Sequence, residues 1–317
     1  FVQKRCQAWY FCINKLTIAT IWKLGMTTSH VILITASLLI SCFHVVNAVP
    51  NVLLLMADQH RHDVLSYTGN KAVLTPNIDS LAKEGAFFSH AYSSTPTCTP
   101  ARAALLTGQS PWNHGMLGYG RVATKYPVEM PRVFLDNGFA TAVIGKDHFG
   151  WNNTDDEGIS HGFQYLRIYD GLGDGVDTNH GGEFDDYDAW FQTKYPGKNP
   201  LATGLDWNTW HGKPYIYPED VHPTAWTGMN AISWLKQFDK KQPFFLKVSW
   251  HRPHSPYDPP NRIFEKMSTK NMAPIIEPNT WDSRYKDGKG CGGVDAWCGL
   301  FPSNETDISK RAYYGSV

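Results

Sequence analysis

The residues with most to offer chemically sit in short polar stretches, each closing an apolar run. STPTCTPARAALLTG, residues 94–108, places Cys98 between two prolines and at the mouth of an alanine-rich helical turn. Three roles suit a cysteine there. It can be a structural thiol, a metal ligand, or a reactive group on a helix N-terminus, where free N–H groups and the positive dipole end stabilise an anion. Arg102 follows one helical turn later on the same face. Lys146 and His148 are two apart on a segment that reads as extended, so they point the same way. Asp58 and Gln59 close VPNVLLLMADQ (49–59), and His251 and His254 follow PFFLKVSW (243–250). Carboxylate, lysine and histidine are the residue types of cation binding, anion binding and proton transfer. Each alone is as readily a helix cap, a surface charge or a packed polar group. What matters is whether one surface gathers them.

The elements that must position them alternate. Residues 49–59 read as a buried parallel strand that delivers Asp58 and Gln59 at its carboxyl end. TPNIDSLAKEGAFF (75–88) predicts a helix stopped by Gly85, and residues 100–107 predict a short helix with Pro100 in its first turn and Gly108 beyond its end. Residues 131–150 read as helix, Asn-Gly turn and the strand ATAVIG, which delivers Lys146 and His148. Residues 151–222 are rich in Gly, Asp, Asn, Trp and Tyr with little periodicity, and predict a long insertion of loops and short elements. A helix over 222–238 and a buried strand over 243–250 follow. Alternation of this kind argues an α/β protein with a largely parallel sheet, in which ligands bind outside the carboxyl ends of the strands. Asp58, Lys146, His148, His251 and His254 all follow predicted strands at that edge.

Composition bounds the rest. The chain has 317 residues, 42% hydrophobic and 18% charged, with 29 basic and 29 acidic residues. A net charge of zero leaves no electrostatic footprint for nucleic acid. Near the amino end, VILITASLLISCFHVV (31–46) is an apolar run of 16 residues, shorter than the roughly 20 a membrane span needs. It ends in Val46-Asn47-Ala48, which predicts a signal peptide over 26–48, opening at Met26 and cut after Ala48. Residues 1–25 then read as a non-native leader and 49–317 as the working domain, with no stable membrane span and a secreted or lysosome-like destination. A retained signal anchor is the alternative. Removing 1–48 leaves Cys98, Cys291 and Cys298, and the pair in CGGVDAWC suits a small disulfide loop. Sequons at Asn152 and Asn304 fit glycosylation on the same route.

Cys98-Thr99-Pro100-Ala101-Arg102, continuing to Leu105-Leu106-Thr107-Gly108, resembles the sulfatase signature, in which Cys-x-Pro-x-Arg opens a helix and Leu-Thr-Gly closes it. PNVLLLMADQ, TPNIDSLA, GKDHFG and PFFLKVSWHRPHSPY resemble the same family in the same order. The resemblance implies an alkaline-phosphatase-like α/β sandwich with a mixed, mainly parallel sheet between helices, truncated at the carboxyl end. It implies that Cys98 is converted to formylglycine by a formylglycine-generating enzyme during synthesis. One hydroxyl of the hydrated aldehyde then attacks the sulfur of a sulfate ester, and the other expels sulfate. It implies one divalent cation, calcium, with Asp58, Gln59 and the modified Cys98 among its ligands. It further implies that Arg102 holds the diol and the metal carboxylates, that Lys146 binds a sulfate oxygen, and that His148 takes the proton as the hemiacetal collapses. His254 contacts sulfate, with Lys146 or His254 protonating the departing alcohol. The substrate is then a sulfated small molecule or carbohydrate.

Two departures qualify this. Gln59 stands where many sulfatases have a second aspartate and resembles the Asp-Gln variant of choline-sulfatase-like and phosphonate-ester-hydrolase-like members, so either metal or sulfate is open to it. No Asp-His-Gly or Asp-Asn-Gly follows residue 255, so the sequence predicts a fragment short of at least two metal ligands and inactive alone. Rival readings are a phosphonate or phosphodiester hydrolase on the same site, or an inactive secreted binder. His60, His62 and Asp63 read as loop polar residues, the aspartates of DGLGDGVD (170–177) as a solvated loop, and Trp207, Trp210 and Tyr215 as either sugar platforms or packing.

Overall fold

The computed structural model describes residues 49–120, 122–149, 160–171, 185–205, 209–239, 241–269, 272 and 303–317. The expected signal peptide, Asn152, Trp207, Cys291 and Cys298 lie outside them. No helix among the described residues is long and apolar enough to cross a membrane.

Among the described residues four strands form one sheet: β1 (Val52–Asp58), β2 (Ala140–Gly145), β3 (Tyr165–Ile168) and β4 (Phe244–Pro253). Their order is β1-β4-β2-β3, and every pairing is parallel. The helices are α1 (Pro76–Glu84), α2 (Cys98–Thr107), α3 (Pro111–His114), α4 (Met130–Asp136), α5 (Asp186–Lys194), α6 (Pro223–Gln237), α7 (Asn261–Lys266) and α8 (Ser303–Ser316). The sequence reading finds three of the strands and misses β3, four residues inside the stretch of weak periodicity. It also starts α2 two residues late, because the helix opens on Cys98 itself with Thr97 as its N-cap.

β2 and the first half of β4 read as mainly apolar runs, broken in β4 by Lys247, because both of their faces are covered. On one face Val143 and Phe245 meet Ala103 and Leu106 of α2, with Phe134 of α4 stacked on Phe245 at 4.4 Å. On the other, Ala142, Ile144, Leu246 and Val248 meet Ala231 and Trp234 of α6. The result is three layers, helices on sheet on helix. Among the described residues β1 pairs with β4 alone, and its side chains at Leu53 and Leu55 are nearly half exposed.

Register brings the polar ends to one edge. Gly145 pairs with Ser249 and with Ile168, so Lys146 and Asp170 leave neighbouring strands side by side. Gly145 has φ 93, and a Cβ there would collide with the Ser249 carbonyl, so only glycine permits this close crossing. A smaller aromatic cluster of Tyr169, Tyr187, Phe191, Tyr215 and Trp226 lies beside β3 and α5. Tyr215 is buried within it, with its hydroxyl 3.1 Å from that of Tyr187, so it packs and is no sugar platform.

Candidate active site

Asp58 ends β1, where the register slips between Ala57 and Asp58. Its carboxylate is the hub of the site. Lys146 Nζ lies 2.8 Å and Arg102 Nη2 3.1 Å from Asp58 Oδ2, while Cys98 Sγ is 4.0 Å from Oδ1. Burial alone would raise the Asp58 carboxyl, but the Lys146 ammonium, then Arg102 and His254, hold it well below the usual carboxylate range. Arg102, 4% exposed, also donates to the Lys146 carbonyl at 2.8 Å and to Ser249 Oγ at 3.3 Å, tying α2 to the ends of β2 and β4. Two buried cations thus share one carboxylate.

Cys98 is a free cysteine, half-buried, at the first turn of α2. Burial pushes its thiol above the ordinary value, with Asp58 adding to that and Lys146 opposing it. An unmodified Cys98 is therefore held as the thiol, the weak form of the nucleophile. The Thr99 hydroxyl accepts from Gly120 N at 3.3 Å and brings the loop of Tyr119 beside the helix start.

His148 is buried beyond β2 with φ 62, and the Tyr119 ring meets it edge-on at 6.3 Å. His254 lies after β4, with Nδ1 2.8 Å from the Ser255 carbonyl. A carbonyl only accepts, so Nδ1 carries hydrogen, and in the neutral ring Nε2 is the acceptor. Burial, helped by Lys146, pulls the His254 pKa down to about 4. His251 has the opposite tautomer. Its Nδ1 accepts from Arg252 Nη1 at 2.7 Å, and Arg252 is itself clamped to Asp258 at 2.7 Å. Burial first and Lys146 second keep His251 far below its ordinary pKa. It packs behind His254, with ring centroids 4.9 Å apart, and under Gly171, whose missing side chain leaves room for the ring.

Gln59 follows Asp58 with φ 57, its side chain exposed and its carbonyl accepting from the Tyr313 hydroxyl at 2.7 Å. Calcium takes six to eight oxygen ligands. Among the described residues no three His, Cys, Asp or Glu side chains gather to hold a metal. The donors here suit such an ion in kind, because Asp58 Oδ1 is turned away from the cations and toward residue 98. They supply part of a shell.

The structure thus gathers Asp58, Cys98, Arg102 and Lys146 directly, with His148 and His254 on the neighbouring strand ends. Asn304 stands exposed on α8, apart from these contacts. His60 and Asp63 are engaged locally, His60 with the Val64 carbonyl and Asp63 with Arg61, as loop residues. The sequence reading missed Asp147, Asp170 and Lys247. Asp170 is buried and accepts from the backbone N–H groups of Asp147 at 2.8 Å and His148 at 3.1 Å, so it is not part of a solvated loop. Lys247 carried a usable signal: a lone charge inside a buried strand has to be paired.

A family model described as Sulfatase matches residues 50–287. The chain is similar to an arylsulfatase of Clostridium perfringens, 36% identical over 279 residues that cover 84% of this chain and 56% of that protein. It is similar to the ulvan-active sulfatase of Formosa agariphila, 31% identical over 235 residues, 73% of this chain and 40% of that one. The chain spans about half the length of the curated relatives it matches. Among solved structures, the phosphonate monoester hydrolase of Agrobacterium radiobacter aligns with a TM-score of 0.61 at 23% identity, over 84% of this chain and 56% of that one. That likeness is one of fold, the alkaline-phosphatase-like α/β arrangement expected from the sequence.

Proposed function

The chain belongs to the sulfatase family, and from that premise we propose that the whole protein hydrolyses sulfate esters through residue 98. One observation carries the reading: Asp58, Arg102 and Lys146 converge on the helix start that bears Cys98, with two buried cations to one carboxylate. Such a corner accepts a sulfate group and offers it the N-terminus of α2.

Hydrated formylglycine at position 98 would supply the attacking hydroxyl, and a divalent cation such as calcium would lower its pKa and neutralise sulfate oxygens. Asp58 and residue 98 would hold that ion, with Gln59 as a further oxygen donor. Lys146 meets a sulfate oxygen and Arg102 fixes the carboxylate that both cations share. His148 accepts a proton beside residue 98. His254, neutral and with its Nδ1–H committed to Ser255, accepts a hydrogen bond at Nε2 far more readily than it gives up a proton. That assigns protonation of the leaving alcohol to Lys146. The substrate is a sulfated small molecule or carbohydrate, the second suggested by the ulvan-active relative. Maturation by a formylglycine-generating enzyme and passage along the secretory route, with glycosylation at Asn152 and Asn304 and a Cys291–Cys298 disulfide, belong to the same proposal.

The test is the mass of the peptide carrying residue 98, taken from protein made by its own cells. An aldehyde in place of the thiol is the expected result, and an unmodified thiol overturns the reading. A second reading, phosphonate or phosphodiester hydrolysis, is favoured by Gln59. Turnover of nitrophenyl sulfate against a phosphonate monoester by the whole protein separates the two.

A further inference from the structure

We propose that Asp170 and the buried Lys247–Asp147 pair are positioning residues that hold His148 in its working posture. The proposal rests on the reading of His148 as a group that acts on substrate. It starts from a backbone fact: His148 is a non-glycine residue at φ 62, in the left-handed region. That region is costly for a side-chain-bearing residue and persists only where the surroundings over-determine it.

The surroundings do so from three directions. Asp170 Oδ1 accepts the consecutive N–H groups of Asp147 and His148 at 2.8 and 3.1 Å, so one carboxylate fixes both peptides of the turn. Lys247 Nζ holds the Asp147 side chain at 2.6 Å, from a strand 100 residues away in sequence. Arg102 Nη1 takes the Lys146 carbonyl at 2.8 Å, and Lys146 N reaches the Ser249 carbonyl at 2.7 Å. The turn between β2 and His148 is therefore held at its carbonyl, its amides and its side chain.

Stability alone does not account for Lys247. It sits mid-strand, between Leu54 of β1 and Val143 of β2 in register, and only 1% of it is exposed. Asp147 is equally buried, and the Lys247 ammonium lies 4.7 Å from the centre of the Phe149 ring. Replacing a buried ion pair by apolar residues of similar size is often neutral or stabilising. What the pair gives that an apolar pair cannot is direction. It pins the residue between Lys146 and His148, so that both of these side chains leave the turn at fixed angles. Asp170 adds the same constraint from just beyond β3, the strand that the sequence conceals.

The experiment compares Asp170→Ala, Asp170→Asn and the double variant Asp147→Leu/Lys247→Met in the whole protein. Two readouts are taken. The first is the histidine ring signal of His148 in NMR spectra, identified by its loss in His148→Gln. The second is sulfate-ester turnover. We expect Asp170→Ala to move the His148 signal and to lower kcat about 100-fold with little change in KM, the scale of a misplaced reacting group. Asp170→Asn, which keeps an acceptor oxygen, restores most of both. The double variant moves the signal less than Asp170→Ala but measurably, and it decides the matter if Asp170→Ala fails to fold. A His148 signal that stays in place in folded Asp170→Ala, or in the double variant, overturns the proposal. Absent sulfate-ester turnover by the unaltered protein overturns the functional reading instead, and the ring signal still judges the positioning claim.

Discussion

The two sides of the site are built on opposite electrostatic plans. Where the ends of β1 and β2 meet α2, the Asp58 carboxylate lies 2.8 Å from Lys146 and 3.1 Å from Arg102, so opposite charges compensate one another. At the end of β4, His251 and His254 are buried but neutral, because burial and the nearby Lys146 ammonium outweigh the pull of Asp58 on His254. The difference teaches how a site can invite one anion without filling itself with counter-charge. The charged corner supplies attraction, and the histidine corner supplies hydrogen-bonding groups that add no further charge until something arrives.

The sharpest way to break this is Asp58→Ala. It leaves two buried cations with no anion, and stranding a buried charge costs about 3–5 kcal/mol. Urea unfolding should show a midpoint shift of that size, while the same substitution at an exposed acid such as Asp239 changes little. An unchanged midpoint would mean that water or another anion already screens the pair.

Acid separates the two corners by window. The His254 pKa falls from 6.5 in the unfolded chain to about 4 in the fold. Between those values the unfolded chain binds more protons, so the contribution is complete above 6.5 and is lost as pH falls toward 4. At full strength this is on the order of 3 kcal/mol, and His251 acts in the same direction. Asp58 is depressed from 3.8, so its contribution is intact above about pH 4 and lost below it. Stability measured against pH should therefore fall in two stages, and His254→Gln should shrink the first stage to the share of His251 while sparing the second. A single transition below pH 4 would show that the histidines ionise freely in the fold.

Lys146→Met sharpens the asymmetry within the charged corner. Arg102 still answers Asp58 at 3.1 Å, so the loss is one hydrogen bond to a charged group, about 1.5–3 kcal/mol. Activity should suffer far more than stability, because the proposed sulfate ligand and proton donor are gone together. Equal losses in both would make Lys146 a structural residue.

How far the sequence discloses this site depends on where each residue finds its partner. Asp58, Cys98, Arg102, Lys146, His148 and His254 are legible because each follows a strong apolar run or a fixed local spacing, and parallel strands carry such endings to one edge. Asp147 and Asp170 are not, because each is satisfied by a residue far away in sequence, and local pattern records nothing of that; Lys247 shows only as a charge in a buried strand, with its partner hidden. Lys247 interrupts a strand as a surface lysine would, yet its partner lies in a turn 100 residues earlier. β3 escaped because four residues are too few to show a period, and what fixes it is pairing with β2. His251 and His254 are indistinguishable in HRPHSPY, and only Arg252, engaging the first, separates them.

The smallest effect tests the outer rim of the charged corner. Gln59, like His148, is a non-glycine residue in the left-handed region, but it is exposed where His148 is buried. The Tyr313 hydroxyl ties this backbone: it donates to the Gln59 carbonyl at 2.7 Å and accepts from Arg61 N at 2.9 Å. Tyr313→Phe removes both bonds and keeps the ring packed against Tyr257. Both backbone groups lie near solvent and regain water, so the expected cost is about 1 kcal/mol. Hydrogen exchange at Arg61 N should quicken, while that at His148 N, which Asp170 holds, should not. If both amides respond together, the two left-handed residues belong to one cooperative unit, and the turn after β1 is as firmly built as the turn after β2.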